Sequence, residues 1–463
     1  MGSARPKRPH VVVLSYPAQG HMNPMMEFAK RLVSKNLHVT FVTTETIRER
    51  MCDAAHGRGL PKLHDIKIET ISDGFPPDFD GMKDIEMAIR ALRRAGALSF
   101  ENLIERLDNV SCIVYDGLLE WVPLVVNKFC IPSAFFWTQS CAVYSIYYHY
   151  HSGVVDKANG ETEKEMVIPG LPPLNQADMP CNSSQSLLQL ALDQFTTISQ
   201  ATWILGNSFR ELETSEIKSM DSLLRIRTIG PQLPTAFLDG NNPQDTDAGM
   251  DMWKAENCRD WLNTKGKSTV VYVSFGSMAV LSKDQNTEIA LGLKASGYPF
   301  LWVIRPADKK QENTSPRDFP DGFLEETADR GLVVPWCPQM AVLCHPSVGV
   351  FMMHGGWNST LESLSSGVPV LVFPQWSDQT TNCKYIQDVW KTGMRLKKGA
   401  GGLIGRDEVE KSIRTVMEME QGVELRKNAL RWKVLAKQAM VKGGSSDKNI
   451  QDFVEDVVDR ASV

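Results

Sequence analysis

Two residues far apart in the chain have the chemistry of a proton-transfer pair. His21 follows the apolar run HVVVLSYP (10–17) and stands just ahead of Asn23-Pro24, where the pattern predicts a helix through Leu32. An imidazole with an ordinary pKa near about 6.5 can take a proton from an alcohol or phenol. Asp116 closes the apolar run CIVYD (112–116), and its carboxylate could accept the second imidazole N–H and stabilise the imidazolium. Taken singly, His21 reads equally as a solvated loop histidine and Asp116 as a helix N-cap. A second set is contiguous. Trp336 offers an aromatic face for a base, Val348 to Met353 an apolar strand, Gly355-Gly356 a glycine pair, and Asn358 and Ser359 open a helix. Unpaired N–H groups and the positive dipole end of a helix start attract phosphate, so this order suits a pyrophosphate. A further strand (Val368 to Phe373) ends at Pro374, and Asp378-Gln379 follow where open parallel sheets bind ligands. Gly276-Ser277 close STVVYVSFGS (268–277) at a turn that lets backbone approach phosphate.

The stretch from Trp336 to Gln379, with its W-x-P-Q opening, H-x-G-W-N-S centre and D-Q close, resembles the signature box of plant secondary-product UDP-glycosyltransferases. It departs at Gly355, where that family usually has Cys, and a small residue is expected to be tolerated. The resemblance implies a GT-B fold and an inverting, metal-independent transfer. It implies that Trp336 stacks on uracil, that the Cys337 backbone pairs with the base edge, and that Gln339 and Glu362 hold the ribose hydroxyls. His354, Asn358, Ser359 and Ser277 would meet the diphosphate, with Gly20 and Gly356 among the donor-contacting positions. Trp357, Asp378 and Gln379 would fix the sugar, with Thr138 touching it from the first domain, and a terminal Gln points to UDP-glucose. The same resemblance makes His21, in its P-x-x-x-H context, the general base and Asp116 its partner. Aromatic residues usually follow that Asp; here Leu118 and Leu119 stand instead. FPQWSDQTTNCKYIQDVWKTG, ISDGF (71–75) and GGSSDKNI resemble the branch containing anthocyanin 5-O-glucosyltransferases and relatives that esterify carboxylates such as abscisate. A flat phenolic, flavonoid-like acceptor, or a carboxylic one, is therefore expected in a pocket that includes Leu118, Leu119 and Trp376.

The elements that must position these residues alternate between β and α. Apolar strands at 10–17, 38–43, 66–71, 112–116, 132–138, 202–209 and 226–231 are separated by helical segments, which predicts a parallel sheet covered on both faces. A Tyr-rich helix and a proline-rich loop between 140 and 200 are the kind of excursion that walls a ligand pocket. FLDGNNPQDTDAGMD (237–251) then shifts abruptly to Gly, Asn, Asp and Pro. The alternation restarts at 268. The expectation is therefore α/β, two Rossmann-like parallel-sheet domains facing across a cleft: 1–238 for the acceptor, a linker at 239–256, 257–444 for the UDP-sugar, and 445–463 as a helix packing back on the first domain.

The 463 residues fit two domains, and 42% hydrophobic with 23% charged content is that of a soluble globular chain. A net charge of −5 and a pI near 6.0 argue against nucleic-acid binding. Nine cysteines without a C-x-x-C pair suggest free thiols in a reducing compartment. The basic start MGSARPKRPH lacks an apolar run of membrane length, and Pro6 breaks a myristoylation pattern. A cytoplasmic monomer without a cofactor, with UDP-glucose as co-substrate, is expected. Three rivals are weaker. The triplets Asp78-Phe79-Asp80 and Asp245-Thr246-Asp247 have the form of metal-chelating D-x-D motifs but read as solvated loop carboxylates. Gly399-Ala400-Gly401-Gly402 has the wrong spacing for nicotinamide binding. A UDP-sugar sensor without activity would not need His21 and Asp116.

Overall fold

The computed structural model describes residues 8–54, 65–75, 85–154, 165–180, 185–305 and 319–462, with the side chains of 85 and 86 excepted. The Asp78-Phe79-Asp80 triplet, the extreme N-terminus, Cys181 and the polar loop before 318 lie outside them. Among the described residues thirteen strands form two sheets, parallel throughout. They are β1 (His10–Leu14), β2 (His38–Thr44), β3 (Ile66–Ile71), β4 (Val110–Asp116), β5 (Ser133–Trp137), β6 (Trp203–Gly206), β7 (Arg227–Thr228), β8 (Val270–Ser274), β9 (Phe300–Val303), β10 (Gly331–Val334), β11 (Val348–Met353), β12 (Val370–Val372) and β13 (Gly393–Arg395). The first sheet runs β3-β2-β1-β4-β5-β6-β7 and the second β10-β9-β8-β11-β12-β13. Both orders reverse direction once, between β1 and β4 and between β8 and β11. Such reversals open a crevice at the strand carboxyl ends.

Uninterrupted apolar strands produce this arrangement, because helices cover both sheet faces and every side chain of β1 and β11 is buried. The helix Ser445–Ala461 belongs to the first sheet's packing although it ends the chain. Phe453 is fully buried there, its ring 5.1 Å from Trp203 and 5.9 Å from Phe28. Trp203 Nε1 donates to Asp456, Ser446 Oγ to the Gly230 carbonyl, and Lys35 pairs with Asp447. The chain thus passes between the lobes twice, once between β7 and β8 and once between β13 and this helix.

Two sequence expectations need correction. The first helix runs Gln19–Ser34, so it begins four residues before Asn23 and takes His21 into its first turn. Asp245 is not a solvated carboxylate: it is buried, and pairs with Lys30 at 2.7 Å while accepting from the backbone and hydroxyl of Thr235.

Candidate functional site

The β1–β4 reversal brings His21 and Asp116 together across 95 positions of sequence. His21 Nδ1 lies 2.7 Å from Asp116 Oδ2, and the Thr138 hydroxyl, just beyond β5, lies 3.2 Å from the same nitrogen. Asp116 is held in turn, because its Oδ1 accepts the Leu118 backbone N–H at 2.9 Å. With Nδ1–H donated to the carboxylate, Nε2 is the nitrogen left to accept a proton. Burial pulls the imidazole's pKa down, but the Asp116 charge and hydrogen bond, with the Asp378 charge, outweigh it and leave it raised. The ring of Tyr16 packs 5.4 Å from that of His21.

Pro24 sits inside the helix that carries His21 and has no N–H to give the Gly20 carbonyl one turn back. That carbonyl instead accepts from Asn358 Nδ2 of the other lobe at 2.8 Å. Asn358 therefore spans the cleft from the position expected to meet the diphosphate.

On the second lobe the β8–β11 reversal sets Gly276 against His354. Gly276 has φ +79°, and a Cβ there would lie 2.8 Å from the imidazole. His354 is half-buried, its Nδ1 is buried without a partner, and burial lowers its pKa to about 4, so it is a neutral ring with a hydrogen-bonding atom unused. Gly355 has φ +86°, and an added Cβ would lie 2.8 Å from Val372 Cγ1, so glycine suits the backbone at the position where Cys is usual. The helix Trp357–Ser366 starts from Gly356 without a side-chain cap, which leaves its first N–H groups available to an anion.

Behind it, Gln339 gathers the expected ribose-binding set. The Tyr272 hydroxyl donates to Gln339 Oε1 at 3.0 Å, while Gln339 Nε2 donates to Ser359 Oγ and to Glu362. Burial pushes the Glu362 carboxyl up to about 7. Asp378, raised by burial to about 6, accepts from Asn382 Nδ2 at 2.6 Å. Gln379 Oε1 accepts the backbone N–H groups of Gln375 and Trp376, which fixes the loop and leaves its amide nitrogen as the side chain's donor.

Trp357 opens the helix that follows Gly356. Its indole is buried in the seam between the lobes and donates to the Asn207 carbonyl at 2.7 Å, so only its backbone N–H is left to a ligand at the helix start. Other bonds close the same seam: Tyr385 to Glu216 at 2.7 Å, and Thr381 and Arg395 to Asp178 at 2.7 and 3.0 Å. Cys337 is buried beside Tyr272, and the Trp336 indole is half-buried. Ser277 is half-buried in the turn after β8.

Leu118 and Trp376 are half-buried, whereas Leu119 is 1% exposed and packed into the first lobe's core. A small cavity is walled by Tyr16, Leu92, Arg93, Leu118, Leu119 and Leu190, so both Leu118 and Leu119 border it. A larger open cleft of about 460 Å³ lies elsewhere, behind β13, and contains none of the expected site residues. Among the described residues no group of three or more His, Cys, Asp or Glu is arranged to hold a metal ion, and no helix is long and apolar enough to cross a membrane. Sequence reasoning missed Tyr16, Gln19, Asp251 and Trp253. The first two lie within five residues of His21, a signal that was available; the others lie in a stretch whose composition reads only as a connector.

The description UDP-glucoronosyl and UDP-glucosyl transferase matches residues 231–442. Along nearly its whole length the chain is similar to curated plant proteins. It is 40% identical to a chloroplastic crocetin glucosyltransferase of Gardenia jasminoides, covering 96% of this chain and 97% of that one. It is 38% identical to gallate 1-beta-glucosyltransferase 84A23 of Punica granatum, covering 98% and 91%. The crystal structure of Os79 from O. sativa in complex with UDP superposes with a TM-score of 0.87 at 33% identity, over 96% of this chain and 100% of that one. With two parallel-sheet lobes in the GT-B arrangement and relatives of this similarity over full length, the chain belongs to the UDP-glucoronosyl and UDP-glucosyl transferase family and is a UDP-glycosyltransferase.

Proposed function

We propose that this enzyme transfers glucose from UDP-glucose, with inversion, to a hydroxyl or carboxyl of a small aromatic plant metabolite. The observation that carries this reading is the 2.7 Å contact between His21 Nδ1 and Asp116, facing Asp378 across the cleft. Acceptor oxygen gives its proton to His21 Nε2 and attacks the anomeric carbon opposite UDP. The C–O bond to the diphosphate breaks with its electron pair leaving on UDP, through an oxocarbenium-like transition state. Asp116 stabilises the imidazolium as it forms.

In this reading residues 1–238 bind the acceptor and 257–444 the donor, with 239–256 joining them and 445–463 completing the first domain. Trp336 and the Cys337 backbone take uracil, and Gln339 and Glu362 take the ribose. His354, Asn358, Ser359, Ser277 and the first N–H groups of the helix after Gly356 take the diphosphate. Asp378, Gln379 and Thr138 take the sugar. Preorganised donors of this kind carry leaving-group charge without a cation, so turnover in excess EDTA is expected to match turnover without it. Replacing His21 by Ala and titrating with UDP tests the whole reading: undiminished turnover, or no affinity for UDP, would overturn it.

Glucose-ester formation is the second reading, supported by the similarity to the gallate 1-beta-glucosyltransferase; the anthocyanin 5-O-glucosyltransferase branch favours a phenol. A panel of phenols and carboxylic acids with UDP-glucose separates them, since ester products are cleaved by mild base and phenolic β-glucosides are not. A cytoplasmic monomer is part of the same proposal; unpaired cysteines throughout the described residues support the reducing compartment.

A further inference from the structure

Trp336 is held from three directions by one short piece of the connecting segment. The Asp251 carboxylate stands at its indole edge, where the N–H favours the charged form of the acid. The Trp336 carbonyl accepts the Glu256 backbone N–H at 2.9 Å. One face of its ring is covered by Trp253, with centroids 4.8 Å apart and planes 37° from parallel. Arg305 lies over Trp253 in turn, 5.5 Å from the ring centroid. Rings this close admit no third ring between them, so a base stacking on Trp336 uses the opposite face.

The same segment is fastened to the helix that carries His21. Gln19 Nε2 donates to Asp251 Oδ1 at 3.1 Å, Lys30 pairs with Asp245 at 2.7 Å, and Arg31 pairs with Asp239 at 3.0 Å. All three basic or amide groups project from Gln19–Ser34. A segment that only tethered two domains would leave its carboxylates in water. Burial instead pushes the Asp251 carboxyl up to about 6, a desolvation cost that its hydrogen bonds must offset.

We propose that Asp251 and Trp253 are positioning residues for the donor nucleotide. Asp251 sets the edge and Trp253 the tilt of the indole on which uracil stacks, and the bond from Asp251 to Gln19 registers that surface against the helix bearing the general base. The proposal rests on Trp336 being the base platform.

The test compares Asp251→Leu, Asp251→Asn, Trp253→Ala and Trp336→Ala with the unmodified enzyme. UDP is titrated calorimetrically, and KM for UDP-glucose, kcat and thermal midpoint are measured. Asp251→Leu removes the oxygen at the indole edge and the acceptor for Gln19; Asp251→Asn keeps one in its amide oxygen. Asp251→Leu and Trp253→Ala are expected to weaken UDP and raise KM about tenfold each, the scale of one lost hydrogen bond to a charged group, with kcat changed less. Asp251→Asn should recover most of that loss. Variants that fold but bind UDP within about twofold of the unmodified enzyme would overturn the proposal, as would an Asn variant as weak as the Leu variant. Should Asp251→Leu fail to fold, Trp253→Ala decides alone. Tight UDP binding that survives Trp336→Ala would instead refute the base-platform reading, and the proposal with it.

Discussion

His21 has to be neutral to accept a proton, yet its position beside Asp116 favours the charged form, so the pair fixes a pH dependence. The raised pKa means that kcat/KM should climb with pH through a value above the ordinary 6.5. In Asp116→Asn that limb should move to lower pH and the plateau should fall at least about tenfold, because the tautomer and the imidazolium both lose their support. Stability has the opposite sign. The pair's contribution is complete below the unfolded value of 6.5 and is lost as pH rises through the higher folded value. Thermal midpoints of the two proteins across that window should therefore converge at the alkaline end. Gly276 makes a second prediction at this scale. Its left-handed backbone and the imidazole 2.8 Å from any added Cβ make Gly276→Ala strained, at about 1–3 kcal/mol in urea denaturation. Displacement of His354 should weaken UDP in the same variant, read by titration.

Much of the site proposed for the donor is legible in the sequence because it is local. From Trp336 to Gln379 two strands, a helix start and the residues between them follow one another directly, so order alone carries geometry. The Trp357 indole is the complementary case: its partner, the Asn207 carbonyl, is 150 positions away, and no spacing announces such a pair. The start of the first helix escapes the pattern because a proline commonly marks the first helical turn, and Pro24 lies deeper. That deeper position has a functional counterpart. Pro24 is a poor helix residue that leaves the Gly20 carbonyl free for Asn358, so Pro24→Ala should stabilise the helix, by up to about 3 kcal/mol. Activity should drop at the same time, since the new N–H competes for that carbonyl. A rise in thermal midpoint with a fall in kcat/KM is the expected result; unchanged kinetics would mean that the cross-cleft bond is incidental.

The two sheets and their order follow from apolar strands too uniformly buried to face water, which is why alternation in the sequence suffices to anticipate the fold. The approach of the lobes is less legible, since it depends on isolated polar pairs such as Tyr385 with Glu216 and Arg395 with Asp178. Asp245 shows the same limit: a run of Gly, Asn and Asp gives no hint that one carboxylate would be buried against Lys30.

The last helix contributes Phe453 to a core built mainly from the opening half of the sequence. A protease site engineered between Asp247 and Asp251 would consequently yield two pieces that fail to separate. They should co-elute as a one-to-one noncovalent complex on gel filtration until denaturant is added. Expressed apart, the amino-terminal piece would expose the groove that Phe453 fills and should aggregate, whereas co-expression of both pieces should restore a soluble, enzymatically competent heterodimer.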